Sequence, residues 1–367
     1  MRARFVLGKV AGAFATLAFV LVVNFFLFRV VNDAPTASMF RGRNMTADQI
    51  QQRREQFNLT GGQFEQFIAF VQQTLQGNLG DSFLSNRPVT TEIREAIWPT
   101  VVLVGTSTVL AMVIGITLGI YAGWRRRSRF DVASTSFSMF TYSVPDFWLG
   151  MLLLAFFAVR LGWFPTGGFE DAGSTATGLP ALLDQLHHMF LPALTLTLAY
   201  IGEYVIVMRS SILDTVSEDY LQLARAKGLR DAAVRRRHAV PNALLPVVSL
   251  AALNFGFILS GAIAVEAIYS WPGLGQATLE AIRGPDFPML QGLFLLFSAS
   301  LIVANLVVDL VYGFLDPRVG ATGARPCSTQ PTNRSAIRRA PRHGSGVAPR
   351  SSGWREASER TGSRSAG

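Results

Sequence analysis

Few side chains in this 367-residue chain have the types and spacing that chemistry demands. His187 and His188 are neighbours, so on a helix their rings diverge, and the pair is not read as a metal site. The single cysteine, Cys327, excludes an intrachain disulfide framework and a cysteine-rich metal centre. There is no G-x-x-x-x-G-K-S/T phosphate loop, so the chain cannot supply ATP chemistry itself. Nor is there a His-Glu-x-x-His motif, a Gly-x-Gly-Asp motif or a Ser/His arrangement within one apolar segment. The residues describe a non-catalytic chain with no metal and no cofactor.

What remains is a handful of polar side chains inside apolar runs: Glu203, Asn254, Glu266, Asn305 and Asp309. A polar group at membrane depth is costly and faces either a pathway or a partner helix. Asn305 and Asp309 are i, i+4 neighbours on one helix face, which suits a pore wall or an interhelical hydrogen-bond network. Asn254, Glu266, Asn305 and Asp309 are the candidate pathway residues, with Glu266, nearest the outer mouth, the first choice for a gate. Gly115, Gly119 and Gly123 form a small-xxx-small row, read as close helix packing.

The elements that hold these groups follow from composition. Half of the residues are apolar, 16% are charged and the mean hydropathy is +0.32, a balance that points to a membrane protein. The net charge of +9 belongs mostly to the last 49 residues, Val319 to Gly367, which hold nine Arg and two Glu. No nucleic-acid partner is therefore expected. Spanning a bilayer takes about 20 apolar residues. Six segments qualify: Leu7 to Phe28, Thr100 to Ala122, Ser134 to Val159, Phe190 to Met208, Leu245 to Ala267 and Leu290 to Tyr312. The first is too long for a signal-peptide core and is read as a retained span.

Lys and Arg in the short loops orient the spans. Arg125, Arg126, Arg127 and Arg129 follow the second span, and Arg225, Lys227, Arg230 and Arg235 to Arg237 follow the fourth, whereas Leu161 to Met189 has neither residue type. Both termini are expected in the cytoplasm. The expected organisation is an N-terminus and first helix (1–31), an extracytoplasmic region (32–99), a five-helix core (100–318) and a disordered basic tail (319–367). Within 32–99, Ala47 to Phe57 and Gln63 to Gln76 read as helices around a Gly-rich turn.

The loop 209–245 carries "EDYLQLARAKGLRDAAVRRRH". A helix starting near Ser217 puts Tyr220, Leu223, Ala224 and Lys227 at i, i+3, i+4 and i+7 spacing, and Gly228 ends it as a C′ residue. A second helix, Asp231 to His238, leads to Pro241 and Pro246, read as a bend at membrane entry. Spacing alone also allows a plain basic surface loop.

The stretch "DYLQLARAKGL…RRRHAVPNALLP" resembles the EAA loop of bacterial ABC importer permeases, and in detail that of the dipeptide/oligopeptide/nickel family. "QGNLGDSFLSNRPVTTEIREAIWPTVVL", "SVPDFWLGMLL", "GAIAVEAIYSWPGLGQATLEAI" and "NLVVDLVYGFLDPRV" resemble that family's other signatures, in order. The long region after the first span is similar to that of the B-type subunit, although "VVNDAPTASMFRGRNM" departs from the usual "PGDP"-like turn. The resemblance implies an all-α type I permease fold of six transmembrane helices in the bacterial plasma membrane. It further implies a C-type permease partner, two ABC ATPase subunits and an extracytoplasmic peptide-binding protein. Asp219, Tyr220, Leu223, Ala224, Arg225, Ala226, Lys227, Gly228, Leu229 and His238 would form the ATPase-coupling loop. Trp271, Pro272, Gly273 and Gly275 would help to form the face where the binding protein docks. The substrate expected is a dipeptide or oligopeptide, with nickel or another small solute as the alternative. An intramembrane enzyme or an ion-driven transporter would leave the docking loop without a purpose.

Overall fold

The computed structural model describes residues 2–30, 62–258 and 262–315. The expected helix at 47–57 and the tail at 319–367 lie outside the described residues. All described residues fall in one compact unit that ends at Ala321. Among them the fold is helical, with a single isolated bridge between Asp81 and Pro88.

Helix α1 (Arg2–Phe25) runs on through a wide π turn, Phe26–Val30. The expected helix at 63–76 is α2 (Gln63–Leu75). Helix α3 (Val89–Trp124) spans 36 residues and starts well before the expected Thr100, because Pro99 sits inside it without ending it. Two short helices then form α4 (Arg129–Ser143) and α5 (Asp146–Leu153), the latter extended by a π turn at Leu154–Arg160. Helix α6 (Leu179–Val216) is the longest, at 38 residues. The loop helices α7 (Asp219–Ala226) and α8 (Asp231–Val234) follow, and a π turn at Arg235–Ala239 joins α8 to α9 (Val240–Phe257). Two short helices, α10 (Ile263–Ile268) and α11 (Leu274–Arg283), precede α12 (Phe287–Leu315).

Four helices are long and apolar enough to cross a membrane, within Val6–Phe28, Val89–Trp124, Leu179–Val216 and Phe287–Leu310, and α4 with α5 makes five if the bent pair is one span. This differs from six uniform spans at two places. The expected third span is broken by a 100° bend between Ser143 and Asp146. Val144, extended at φ −85° and ψ 127°, precedes Pro145, whose ring disfavours helical backbone in the residue before it. The expected fifth span is split between α9 and α10, with 259–261 outside the described residues and Ala262 non-helical at ψ 70°. The proline bend expected at membrane entry is absent, since α8, the π turn and α9 run on as one helical path with Pro241 and Pro246 inside it. A wide turn just before Pro241 gives its ring room against the preceding carbonyls.

The most extensive helix contact joins α3 to α6. It depends on the glycine row: a Cβ at Gly115, Gly119 or Gly123 would lie 2.6–2.8 Å from the Cβ of Tyr204, Met208 or Ile212. Ala111, Tyr204, Val205, Met208 and Ile212 pack around this seam with Val247 and Ala251 of α9. By contrast only 11% of the apolar window of α1 and 6% of that of α12 is buried, against 56% for α6. Leu7, Phe14 and Phe19 stand exposed on α1, as an apolar solvent allows.

Candidate functional site

Two constructions occupy opposite ends of α6, and the first is the coupling loop. Ser217 closes α6, its hydroxyl donating to the Asp214 carbonyl at 2.7 Å. Helix α7 therefore begins at Asp219, after an extended Glu218, rather than at Ser217. Leu221 and Ala224 are buried against Val234, Ala239 and Trp124. Asp219, Tyr220, Leu223, Arg225, Ala226, Lys227, Gly228 and Leu229 are all exposed. Ala224 thus belongs to the inward face, set by its i, i+3 spacing to Leu221, and not to the outer face with Tyr220 and Leu223. Gly228 has φ +78°, its N–H donating to the Arg225 carbonyl at 2.9 Å, and a Cβ there would meet nothing within 4 Å. Its backbone conformation, not space, selects glycine.

Trp124, at the end of α3, anchors the loop. Its Nε1–H donates to Asp231 Oδ2 at 2.7 Å, and the Arg225 and Arg235 guanidinium groups lie 5.6 and 6.0 Å from its ring. Asn242 Nδ2 donates to the Tyr220 hydroxyl at 3.0 Å and to the carbonyl of the half-buried His238 at 2.8 Å. Asp131, 4% exposed, takes two bonds from Arg209 at 2.5 and 3.1 Å, tying the basic turn after α3 to α6. Sequence reasoning missed Trp124, because an aromatic residue at the end of an apolar run reads as an ordinary membrane-belt residue.

The second construction surrounds Glu266, which is fully buried. Thr100 Oγ1 donates to its Oε1 at 2.9 Å, and the Gly275 and Gln276 N–H groups donate to Oε2 at 2.7 and 3.3 Å. Thr100 Oγ1 also accepts from the Leu274 N–H at 2.7 Å. A carboxylate and a hydroxyl of α3 and α10 thus receive the free N–H groups that open α11. A Cβ on Gly273 would run into Glu266 and Thr100, and one on Gly275 would lie 2.6 Å from Ile263 Cα. Trp271, 1% exposed, donates from Nε1 to the Pro99 carbonyl at 2.9 Å. The Tyr269 hydroxyl donates to the Gly150 carbonyl at 3.0 Å and meets Thr195 Oγ1 at 3.0 Å. Burial pushes that phenol above its usual range, and the Thr195 bond opposes the shift. Of Trp271, Pro272, Gly273 and Gly275, only Pro272 is exposed. Thr100, a hydroxyl at the depth of Glu266, carried the signal that a comparison of depths would have caught.

The remaining polar candidates fall into separate places. Asn254 Nδ2 donates to Glu203 Oε2 at 3.3 Å and to the Tyr204 hydroxyl at 3.2 Å, joining α9 to α6. Asp309 pairs with Lys9 of α1 at 2.8 Å, and the exposed Asn305 lines the same hollow with Gly8, Gly12 and Thr16. Asn254, Glu266 and Asp309 therefore each bridge two helices, and they do not converge on one site.

The chain matches the family described as binding-protein-dependent transport system inner membrane component over residues 115–321, and its N-terminal counterpart over residues 2–104. It is 37% identical to the glutathione transport system permease protein of Escherichia coli over 316 residues, 86% of this chain and 98% of that protein. The permeases of the same name from Shigella dysenteriae and Salmonella choleraesuis match with the same identity and coverage. With two family regions covering most of its length and apolar helices of spanning length, the chain belongs to the binding-protein-dependent transport system inner membrane components, as a multi-pass permease of an ABC transport system.

Proposed function

We propose that this permease forms half of the pathway of an ATP-driven importer for dipeptides or oligopeptides, paired with a C-type permease. The observation that supports the coupling half of the reading is the loop: a short helix, rigidly seated by Leu221, Ala224 and Trp124, that presents Tyr220, Leu223, Arg225 and Lys227 outward. Two separate ATPase subunits would take that face in a groove, and Gly228 would set the angle at which the motion passes into α8 and α9. Because α8 and α9 form one continuous path, a push on α7 reaches the interior without a flexible joint. Similar permeases are named for glutathione, itself a short peptide, which supports a peptide-class substrate over nickel.

The arrangement proposed is six crossings with both termini cytoplasmic, the sixth supplied by the interrupted path of α9 and α10, together with an extracytoplasmic region at 32–99 and a disordered tail at 319–367. A peptide-binding protein would dock at the end built around Glu266, where buried Trp271, Gly273 and Gly275 shape the surface and Pro272 presents it. Asn254, Asn305 and Asp309 are proposed to bias helix packing between access states rather than to coordinate substrate, each being placed between helices or beside an interhelical pair.

The test is peptide uptake by proteoliposomes holding the full complex, with and without ATP, and with Gly228→Pro. Proline fixes φ near −65° and cannot adopt +78°. Uptake that needs ATP and is lost in an assembled Gly228→Pro complex supports the reading. Uptake of nickel but not peptide would replace the substrate, and ATP-independent uptake would remove the importer reading.

A further inference from the structure

We infer that the end of α6 opposite the coupling loop carries a divalent transition-metal site, formed by His188, Asp184 and Asp171. One nitrogen of His188 and one carboxylate oxygen from each aspartate lie within 4.8 Å of one another. The His188 side chain is 3% exposed and that of Asp184 is 16% exposed, whereas Asp171, on the loop after α5, is 79% exposed. Adjacency had argued against a shared histidine site, and the two rings do diverge: His187 Nε2 turns to the Trp163 carbonyl at 3.0 Å, while His188 alone faces the aspartates.

The hydrogen bonds select the ligand nitrogen. His188 Nδ1 lies 3.0 Å from the Asp184 carbonyl, which only an N–H can satisfy, so the Nε2 lone pair is left free. Nε2 makes no hydrogen bond among the described residues, and Asp171 Oδ1 stands 3.7 Å from it. That separation is too long for a hydrogen bond. It is close to the roughly 3.4 Å between two ligands held about 2.1 Å from one tetrahedral ion. An imidazole that donates one N–H to a carbonyl while its other nitrogen faces carboxylates has the ligand geometry seen at metal centres. Two carboxylates balance a dication, and residues 161–189 hold no Lys or Arg to compete for them. Water would complete the coordination, and imidazole with carboxylate favours Zn²⁺ over Mg²⁺ or Ca²⁺.

The ion would fasten the loop that reaches the Glu266 construction. The Gly168 N–H donates to the Tyr269 carbonyl at 2.9 Å, and Phe169 meets Trp271 edge-on at 4.9 Å. Already the Asp171 N–H donates to Asp184 Oδ2 at 2.9 Å, so the loop is placed before any ion arrives. The site lies about 40 Å along α6 from Val216 and the coupling helix, so it acts on the outer construction and not on ATPase docking.

The test uses the full-length permease in nanodiscs, stripped of metal and titrated with Co²⁺, then with Zn²⁺ in competition. One ion per chain is expected, with tetrahedral Co²⁺ absorption bands, and at least tenfold weaker binding in His188→Gln and in Asp171→Asn. Asp171 is exposed, so its variant retains the fold even where His188→Gln does not. Glu170→Gln, which changes an exposed carboxylate next door, is expected to bind as the unaltered protein does. Equal binding by Asp171→Asn and the unaltered protein, equal loss in Glu170→Gln, or no binding at all would overturn the site.

Discussion

Replacing Glu266 with alanine tests whether this residue is a brace or a gate. In the folded chain its carboxylate accepts from Thr100 Oγ1 and from the Gly275 and Gln276 N–H groups, in a setting with no exposed surface. Truncation strands the two backbone donors, while the Thr100 hydroxyl is free to rotate toward another acceptor. At about 1–3 kcal/mol for each stranded donor, the cost is about 2–6 kcal/mol, falling to the lower end if water enters the space. Glu266→Gln keeps one acceptor oxygen and the shape, so it should cost clearly less than alanine. The assay is thermal unfolding of the nanodisc-held permease, with hydrogen exchange read on the peptide covering 274–283. Alanine should lower the midpoint and release the amides at the start of α11, with glutamine intermediate. A gate residue would behave otherwise, losing transport with midpoint and exchange unchanged, and that result would refute the brace.

Two further outcomes follow from the packing. Trp124→Phe removes the Nε1–H bond to Asp231 and weakens the stacking of Arg225 and Arg235, at a cost of about 1–2 kcal/mol; faster limited proteolysis between residues 218 and 240, with the midpoint little changed, is the expected reading. Gly119→Val places a branched side chain where even a Cβ would lie 2.7 Å from Met208 Cβ and 2.9 Å from the Val205 carbonyl. The α3–α6 seam should open, giving a loss of folded protein in size-exclusion chromatography, whereas the same change at Gly105, where a Cβ meets nothing within 4 Å, should be tolerated.

Much of the architecture was legible because hydropathy is a local property. The apolar runs within α1, α3, α6 and α12 announce themselves without any partner, and Gly228 was readable as a helix end because an αL position so strongly favours glycine. Where the reading slipped, the cause was contact between distant segments. Tyr220 and Ala224 share a spacing, yet Trp124, nearly a hundred residues earlier, decides that Ala224 turns inward. Pro145 breaks a span that hydropathy alone joins, while Pro99 and Pro246 do not break theirs. Proline removes one donor in every case, and the packing around it decides whether the helix survives.

The sequence by itself determined the apolar segments, the basic loops, the glycine turn after α7 and the absence of catalytic machinery, since each depends on residues close together in the chain. Only the tertiary structure decided the role of the polar residues. Glu266 needs Thr100, 166 positions away, Asp309 needs Lys9, 300 positions away, and His188 needs Asp171 from a separate loop. A buried polar group takes its meaning from the partner that satisfies it, and in a bundle of long helices that partner comes from another element, brought into register only when the helices pack.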